Sequence, residues 1–329
     1  MNMVATADPF RFHGGRLAVA AARFETAPTP WIDLSTGISP WSYPLPDDDP
    51  SLARCLPEPE HLGRLEVAAA RTFGVADPAE VVAVPGSDIA IRLLGALLPV
   101  ARSAMLTPIY SGHRAAWPDA VAIADADADA VDHDLFILAN PNNPDGRTVA
   151  PERLREIRGQ VIVDEAFADT DPAVSLLPDR GAAIVLRSFG KFFGLAGLRL
   201  GFVIADISVA RRLRALLGDW PVSGFAMATG LAAYQDQQWQ DNQRRRLRDA
   251  ASRLDELLTE SGLELVGGTS LFRLITHDKA RELFEYLGQS GILVRPFAEN
   301  ERQLRFGLPA HEAAWDRLTD ALKNWRQDS

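Results

Sequence analysis

The stretch SFGKFFGLAGLRLGF, residues 188–202, sets one lysine, Lys191, among phenylalanines, glycines and aliphatics. Burying an ammonium is costly unless it is paired or chemically engaged. Lys191 therefore either carries its charge past Phe192 and Phe193 to water or has a nitrogen committed to chemistry. Other polar residues follow apolar runs in the same way. Gly86, Ser87 and Asp88 come after VVAV (81–84) and open a helical stretch, so their backbone N–H groups suit a phosphate. Asn143 lies in NPNNPDG after LFILA (135–139), and Asp164 lies in VIVDEAF (161–167). Ser188 lies next to last in AIVLRSF (183–189), shortly before Lys191. Taken singly, each has an ordinary explanation as a helix cap, a turn residue or a surface lysine.

The elements that must position these residues point the other way. The apolar runs are nearly continuous in Val, Ile and Leu, as expected of strands covered by helices on both faces. They alternate with helical segments, which predicts an α/β sheet. In open α/β sheets, ligands bind beyond the carboxyl ends of strands, and the polar residues above all fall there. After DWPVSGF (219–225) a helical stretch is expected to run to about Ser261. Residues 262–329 then read as a small α+β unit. The expected organisation is an amino-terminal arm (1–41), a large domain (42–235) and a small carboxy-terminal domain (236–329). ADADADAVD (124–132) reads as a surface connection.

Composition narrows the function. The chain has 329 residues, 47% hydrophobic and 24% charged, as in an ordinary globular protein. Its net charge of −10 argues against nucleic acid as a partner, and RRRLRD (244–249) reads as a solvated helix face. Cys55 is the sole cysteine, and no run of eighteen apolar residues occurs, so a cytoplasmic protein with no membrane partner is expected. GLAGLRLG has the wrong spacing for a dinucleotide loop, and no phosphate-binding G-x-x-x-x-G-K-[ST] loop is present. No H-E-x-x-H motif or cysteine-histidine cluster suggests a metal, and GTSLF is not a nucleophile elbow. A Schiff-base lysine, a phosphate cup and an acid for a ring nitrogen remain, and these are the parts of a pyridoxal 5′-phosphate site.

NPNNPDG, VIVDEAF and SFGKFFGLAGLRLGF, in that order, resemble the fold-type I aminotransferases on the branch of histidinol-phosphate aminotransferase. FHGGRL (12–17), DLSTGISP (33–40), RCLPEPEHLGRLE (54–66), QDQQWQ (235–240) and LRFGLPAHEAAWDRL (304–318) are more similar to the threonine-phosphate decarboxylases of cobalamin biosynthesis. The resemblance spans essentially the whole chain. It implies a mostly parallel, helix-covered sheet in a large cofactor domain, a small α+β domain, pyridoxal 5′-phosphate as cofactor and a homodimer. It makes Lys191 the Schiff-base residue, Asp164 the partner of the pyridine nitrogen and Asn143 a donor to the ring O3′. It puts Tyr110, in TPIY, on the ring face. Gly86, Ser87 and Asp88 would cup the phosphate with Ser188 and Arg199, which lies where the family carries its phosphate arginine.

For the substrate, the resemblance implies Arg305 in LRFG for an α-carboxylate. Arg295 in LVRPF would be a second anion site that could take a substrate phosphate, with His13 and Gly37 contributed by the arm. The chain also departs from the family pattern. Phe167 and Gly190 stand where tyrosine and a hydroxyl residue are usual. Leu56 or a neighbour stands where the partner subunit usually lends a tyrosine. Gly37 and Ser39 stand where asparagines are common. The expected reaction is decarboxylation of O-phospho-L-threonine to 1-aminopropan-2-ol phosphate. The alternatives are an aminotransferase acting on histidinol phosphate or a similar amine, and a non-catalytic ligand sensor. Such sensors carry an added DNA-binding domain, which is not expected in this acidic chain.

Overall fold

A computed structural model of the chain describes residues 9–10, 14–46, 49–98, 100–124 and 131–328. Two compact units share it: one of residues 42–245, the other joining 1–41 to 246–329. The arm carries helix α1 (Leu17–Arg23) and a two-residue strand, β1 (Ile32–Asp33).

The larger unit begins with α2 (Ser51–Arg54) and α3 (Pro59–Phe73). Strands and helices then alternate: β2 (Val81–Val84), α4 (Ser87–Leu97), β3 (Ser103–Leu106), α5 (Ser111–Ala116), β4 (Val121–Ile123), β5 (Leu135–Ala139), α6 (Pro151–Glu156) and β6 (Gln160–Asp164). They continue with β7 (Ile184–Ser188), α7 (Phe189–Phe192), β8 (Gly201–Ile204), α8 (Ile207–Leu217), α9 (Gly224–Gln235) and α10 (Gln237–Glu260), the last crossing into the second unit. The seven-stranded sheet runs β2-β8-β7-β6-β5-β3-β4. Every residue of β2, β3, β5, β7 and β8 is buried, which is why these strands are mostly apolar and do not alternate, Ser103, Arg187 and Ser188 being the polar members. Apolar faces of α4 and α8 pack on this sheet around Val82, Ile91, Leu94, Val203 and Leu213.

β8 is the exception to parallel order. It runs antiparallel to both β2 and β7, with Gly201 in register with Val84 on one side and Ser188 on the other. The start of a reversed strand thus lies beside the ends of its neighbours. The helical stretch after residue 223 is two helices. Asp236 interrupts it and accepts a hydrogen bond from Trp239 N through Oδ1 (2.9 Å), starting α10 with a capped turn.

The smaller unit adds β9 (Glu264–Thr269), β10 (Phe272–Thr276), α11 (Ala280–Gln289), β11 (Ile292–Leu293), β12 (Arg295–Pro296), β13 (Gln303–Gly307) and α12 (Glu312–Asp328). Its antiparallel sheet is ordered β12-β13-β10-β9, and β1 of the arm pairs in parallel with β11. Among the described residues, no helix is long and apolar enough to cross a membrane. Nor do three or more His, Cys, Asp or Glu gather there as metal ligands.

Candidate active site

The reversed strand builds an anion cradle at the sheet edge. Gly86 has φ +89°, and a Cβ on it would lie 2.5 Å from Arg199 Nη2, so only glycine fits. Arg199 itself has φ +55°, a left-handed backbone that costs a non-glycine residue about 1–2 kcal/mol. A Cβ on Gly201 would lie 2.8 Å from Ser87 N, which shows how closely β8 approaches the first turn of α4. The α4 N-terminus, the Arg199 guanidinium and Ser188, which is in register with Gly201, therefore meet at one edge. The first amides of a helix and a fork-shaped cation suit a phosphate, but the Gly86 amide expected among the donors is engaged with Val84 O (2.7 Å), which leaves that part to Ser87 and Asp88.

Asp88, in the first turn of α4, turns its carboxylate elsewhere. Oδ1 accepts from Tyr110 Oη (3.0 Å) and Oδ2 from Arg92 Nε (3.2 Å). Burial, with the Asp88 charge behind it, pushes the Tyr110 phenol up to about 12, so it remains a donor at neutral pH. Tyr110 sits just before α5, and Gly112 makes room for it. A Cβ there would lie 2.4 Å from Tyr110 Cε1 and 3.0 Å from Asp88 Oδ1.

One turn further along α5 is a residue the sequence reading did not single out. His113 is fully buried, and its Nε2 lies 2.9 Å from Asp164 Oδ2. Asp164 Oδ1 accepts from Ala166 N (3.1 Å), so both carboxylate oxygens are held at the end of β6. The His113 ring stacks on Trp117 with centroids 6.5 Å apart. Its one visible signal was the spacing Tyr110-x-x-His113, which puts both rings on the same side of a helix.

Asn143 lies in the turn after β5, just past two anchoring asparagines. Asn140 Nδ2 donates to Val149 O (3.1 Å) and Val174 O (2.9 Å), and Asn142 Nδ2 to Pro108 O (2.9 Å). Lys191 follows β7 within the short α7, partly exposed, with Nζ 6.0 Å from the centre of the buried Phe167 ring. Behind Asp164 and Ser188, their neighbours Glu165 and Arg187 form a buried pair (2.9 Å), and Arg187 also pairs with Asp169. Ser175 Oγ (2.6 Å) and Leu176 N (2.6 Å) complete the Glu165 carboxylate. Burial pushes the Glu165 carboxyl up, against the opposing pull of Arg187. This network ties the strand ends that carry the site residues.

In the smaller unit, Arg295 and Arg305 are cross-strand partners on β12 and β13. The Arg305 guanidinium lies over Phe272 (4.8 Å) and that of Arg295 over Phe297 (5.4 Å). Burial first, then the charge of Arg295, pushes Arg305 down to about 9. Gly37 is buried in the arm, and His13 lies outside the described residues.

A mostly parallel sheet with one reversed strand, a lysine after β7 and an acid at the end of β6 define the fold-type I architecture. The chain belongs to the class I and II aminotransferase family, whose sequence model matches residues 108–322. It is 39% identical to the threonine-phosphate decarboxylase of Pseudomonas aeruginosa over 330 residues, covering 96% of this chain and 98% of that protein. It is 40% identical to the threonine-phosphate decarboxylase of Sinorhizobium sp. over 330 residues, covering 94% and 97%. The crystal structure of histidinol-phosphate aminotransferase from Sinorhizobium meliloti, in complex with pyridoxal-5′-phosphate, superimposes with a TM-score of 0.80 at 22% identity over 94% of each chain. At that identity the likeness is one of fold.

Proposed function

We propose that this protein is a pyridoxal 5′-phosphate-dependent carboxy-lyase that converts O-phospho-L-threonine to 1-aminopropan-2-ol phosphate and carbon dioxide. The observation that carries the reading is the register pairing of Arg295 with Arg305, two guanidiniums suited to a small substrate with two anionic groups. The full-length identity to proteins named for this activity supports the same choice.

The larger unit fits the cofactor. A Cβ at Gly86 would strike Arg199, so the glycine leaves room for a phosphate, which the Ser87 and Asp88 amides would hold with Ser188 and Arg199, the Gly86 amide being bonded to Val84 O (2.7 Å). Asp164 would hold the pyridine nitrogen, Asn143 would donate to the ring oxygen, Tyr110 would cover one ring face, Phe167 would line the site, and Lys191 Nζ would be the point of attachment. When bound, the cofactor supplies an electron sink for whichever Cα bond stands perpendicular to its ring.

The reaction then depends on rotation about the Cα–N bond. Arg305 would hold the substrate carboxylate, and Arg295, with His13, its phosphate, and Gly37 would contribute from the arm. Two anchors fix the rotation that one cannot, so remote binding energy orients the bond to be broken. Held in this way, the substrate would present its carboxylate bond for loss of carbon dioxide, and Lys191 Nζ would supply the proton to Cα. Functionally, residues 42–235 would serve as the cofactor domain, and the arm (1–41) with 236–329 would supply the substrate contacts. The assembly would be a homodimer in the cytoplasm.

The family match favours a second reading, transamination of a phosphorylated amine, in which the Cα–H bond stands upright. Product analysis with phosphothreonine decides between them. Carbon dioxide as main product supports decarboxylation, and keto acid replaces it with the aminotransferase reading. The cofactor assignment is tested separately: borohydride should abolish a visible absorbance and leave the pyridoxyl mass on Lys191. A protein that stays colourless with added cofactor would overturn both.

A further inference from the structure

The arm approaches β13 through a residue so far without a role, Ser35. The backbone on either side of it is tied down: Leu34 N donates to Leu293 O (2.8 Å), and Gly307 N donates to Leu34 O (2.7 Å). Ser35 itself is 2% exposed, and each of its polar atoms is engaged. Its N and Oγ both donate to Asp33 Oδ1 (2.9 and 2.6 Å), and Oγ accepts from Gly15 N (2.8 Å). Its carbonyl accepts from Arg305 Nη2 (3.1 Å).

Glycines clear the space around that carbonyl. A Cβ on Gly14 would lie 2.3 Å from Ser35 O and 2.8 Å from its carbonyl carbon, and Gly15 has φ +75°. A Cβ on Gly307 would lie 2.7 Å from Thr36 O, so the arm can lie directly against β13. Gly14 and Gly15 thus bring one chain segment onto Ser35, and Gly307 brings another against its neighbours Leu34 and Thr36.

A guanidinium is a rigid planar fork, so a fixed acceptor at one nitrogen, together with the Phe272 ring, sets the direction of the rest. A carboxylate in that place would orient Arg305 and also neutralise it. The neutral carbonyl orients it without supplying an opposing charge. We propose that Ser35 is a positioning residue for Arg305: the Asp33–Ser35 turn, braced by the Gly15 amide, holds the carbonyl that aims the guanidinium at the substrate carboxylate. The inference rests on the assignment of Arg305 to that carboxylate.

The test compares two ligands of the holoenzyme, O-phospho-L-threonine and 1-aminopropan-2-ol phosphate, which lacks the carboxylate. Ser35→Ala removes the two Oγ bonds, to Asp33 and Gly15, but keeps the backbone N–H bond to Asp33 and the carbonyl. It should raise the KM for phosphothreonine about tenfold, the scale of one displaced hydrogen bond to a charged group. Inhibition by the decarboxylated amine should stay unchanged. Ser35→Thr, which keeps the hydroxyl, should restore KM, and Gly14→Ala, which presses on the Ser35 carbonyl, should reproduce the defect. An unchanged KM in both Ser35→Ala and Gly14→Ala would overturn the proposal. So would an equal loss of affinity for both ligands, the mark of a merely structural role. Keto acid from the wild-type protein would overturn the decarboxylase reading alone, because the affinity comparison judges Ser35 whichever product forms.

Discussion

His113 Nε2 and Asp164 Oδ2 lie 2.9 Å apart, the histidine fully buried on α5 and the aspartate at the end of β6. His113 Nδ1 has no hydrogen-bond partner among the described residues, so a proton placed on Nε2 satisfies the pair. Because Tyr110 is one helical turn away, a single short helix orients both an aromatic ring and the partner of the acid.

His113→Ala should therefore act through Asp164. Losing a hydrogen bond to a charged group costs about 1.5–3 kcal/mol, so affinity for pyridoxal phosphate should fall roughly 10- to 100-fold. Fluorescence titration of the apo-protein would measure this. An unchanged dissociation constant would remove His113 from the support of the cofactor.

Gly112→Ala tests the placement of Tyr110. The new methyl would meet Tyr110 Cε1 at 2.4 Å and Asp88 Oδ1 at 3.0 Å, so the ring must swing away or the phenol must release Asp88. Cofactor affinity should fall about tenfold, on the order of one lost contact of this kind. Tyr110→Phe keeps the ring and removes only the bond to Asp88, so its effect should be smaller. Equal effects from the two variants would mean that the hydroxyl, and not the ring, matters.

The arginine pair should make the protein respond to anions. The charged form of Arg305 is disfavoured by burial and by Arg295, so its charge opposes folding at every pH below about 9. That penalty is relieved as pH rises from about 9 toward the ordinary arginine value of 12.5. A bound anion removes it earlier: inorganic phosphate at about 100 times its Kd should stabilise the fold by about 2.7 kcal/mol, a rise in Tm of several degrees. The rise should fade above about pH 9, because an uncharged Arg305 no longer attracts the anion. Arg295→Ala should weaken the thermal response and lower kcat/KM for phosphothreonine by roughly 100-fold, the scale of a lost charge-assisted contact. A response that persists in Arg295→Ala would place the anion elsewhere.

Arg187→Met would leave Glu165 and Asp169 buried without their shared cation. Breaking such a pair from one side costs about 3–5 kcal/mol, which predicts a Tm lower by roughly 10 °C. The sign of its pH dependence follows from Glu165. Its carboxyl is already pushed up by burial, and removing the arginine raises it further. The folded state therefore tolerates the protonated acid better, and the defect should be smaller near pH 5 than near pH 8. Calorimetry at the two values checks both the size and the slope.

How much of this was visible beforehand depended on the range of the interaction. β2 (Val81–Val84), β5 (Leu135–Ala139), β6 (Gln160–Asp164) and β7 (Ile184–Ser188) are buried strands, and the apolar runs within them, Val161–Val163 and Ile184–Leu186 in the last two, declare it locally. The residues that end them could be read as a site because a polar group just past a buried strand must sit at the sheet edge. β3 and β4 were less visible: β3 opens on Ser103, and β4 is three residues long with Val121 and Ala122 exposed. The break at Asp236 was hidden because helical composition continues on both sides of it.

What tertiary structure alone decided are pairings between distant segments. Nothing in LRLGFVIA announces that β8 runs antiparallel, yet that reversal sets Arg199 beside Gly86. Nor does Ile32–Asp33 look like a strand, because its partner, Ile292–Leu293, lies at the far end of the sequence. His113, 51 positions from Asp164, and Ser35, 270 from Arg305, reach their partners only once helix and arm have docked. Local composition encodes which segments are buried and where they stop. The direction of a strand and the partner of a buried polar group follow from packing, in which each placement depends on all the others.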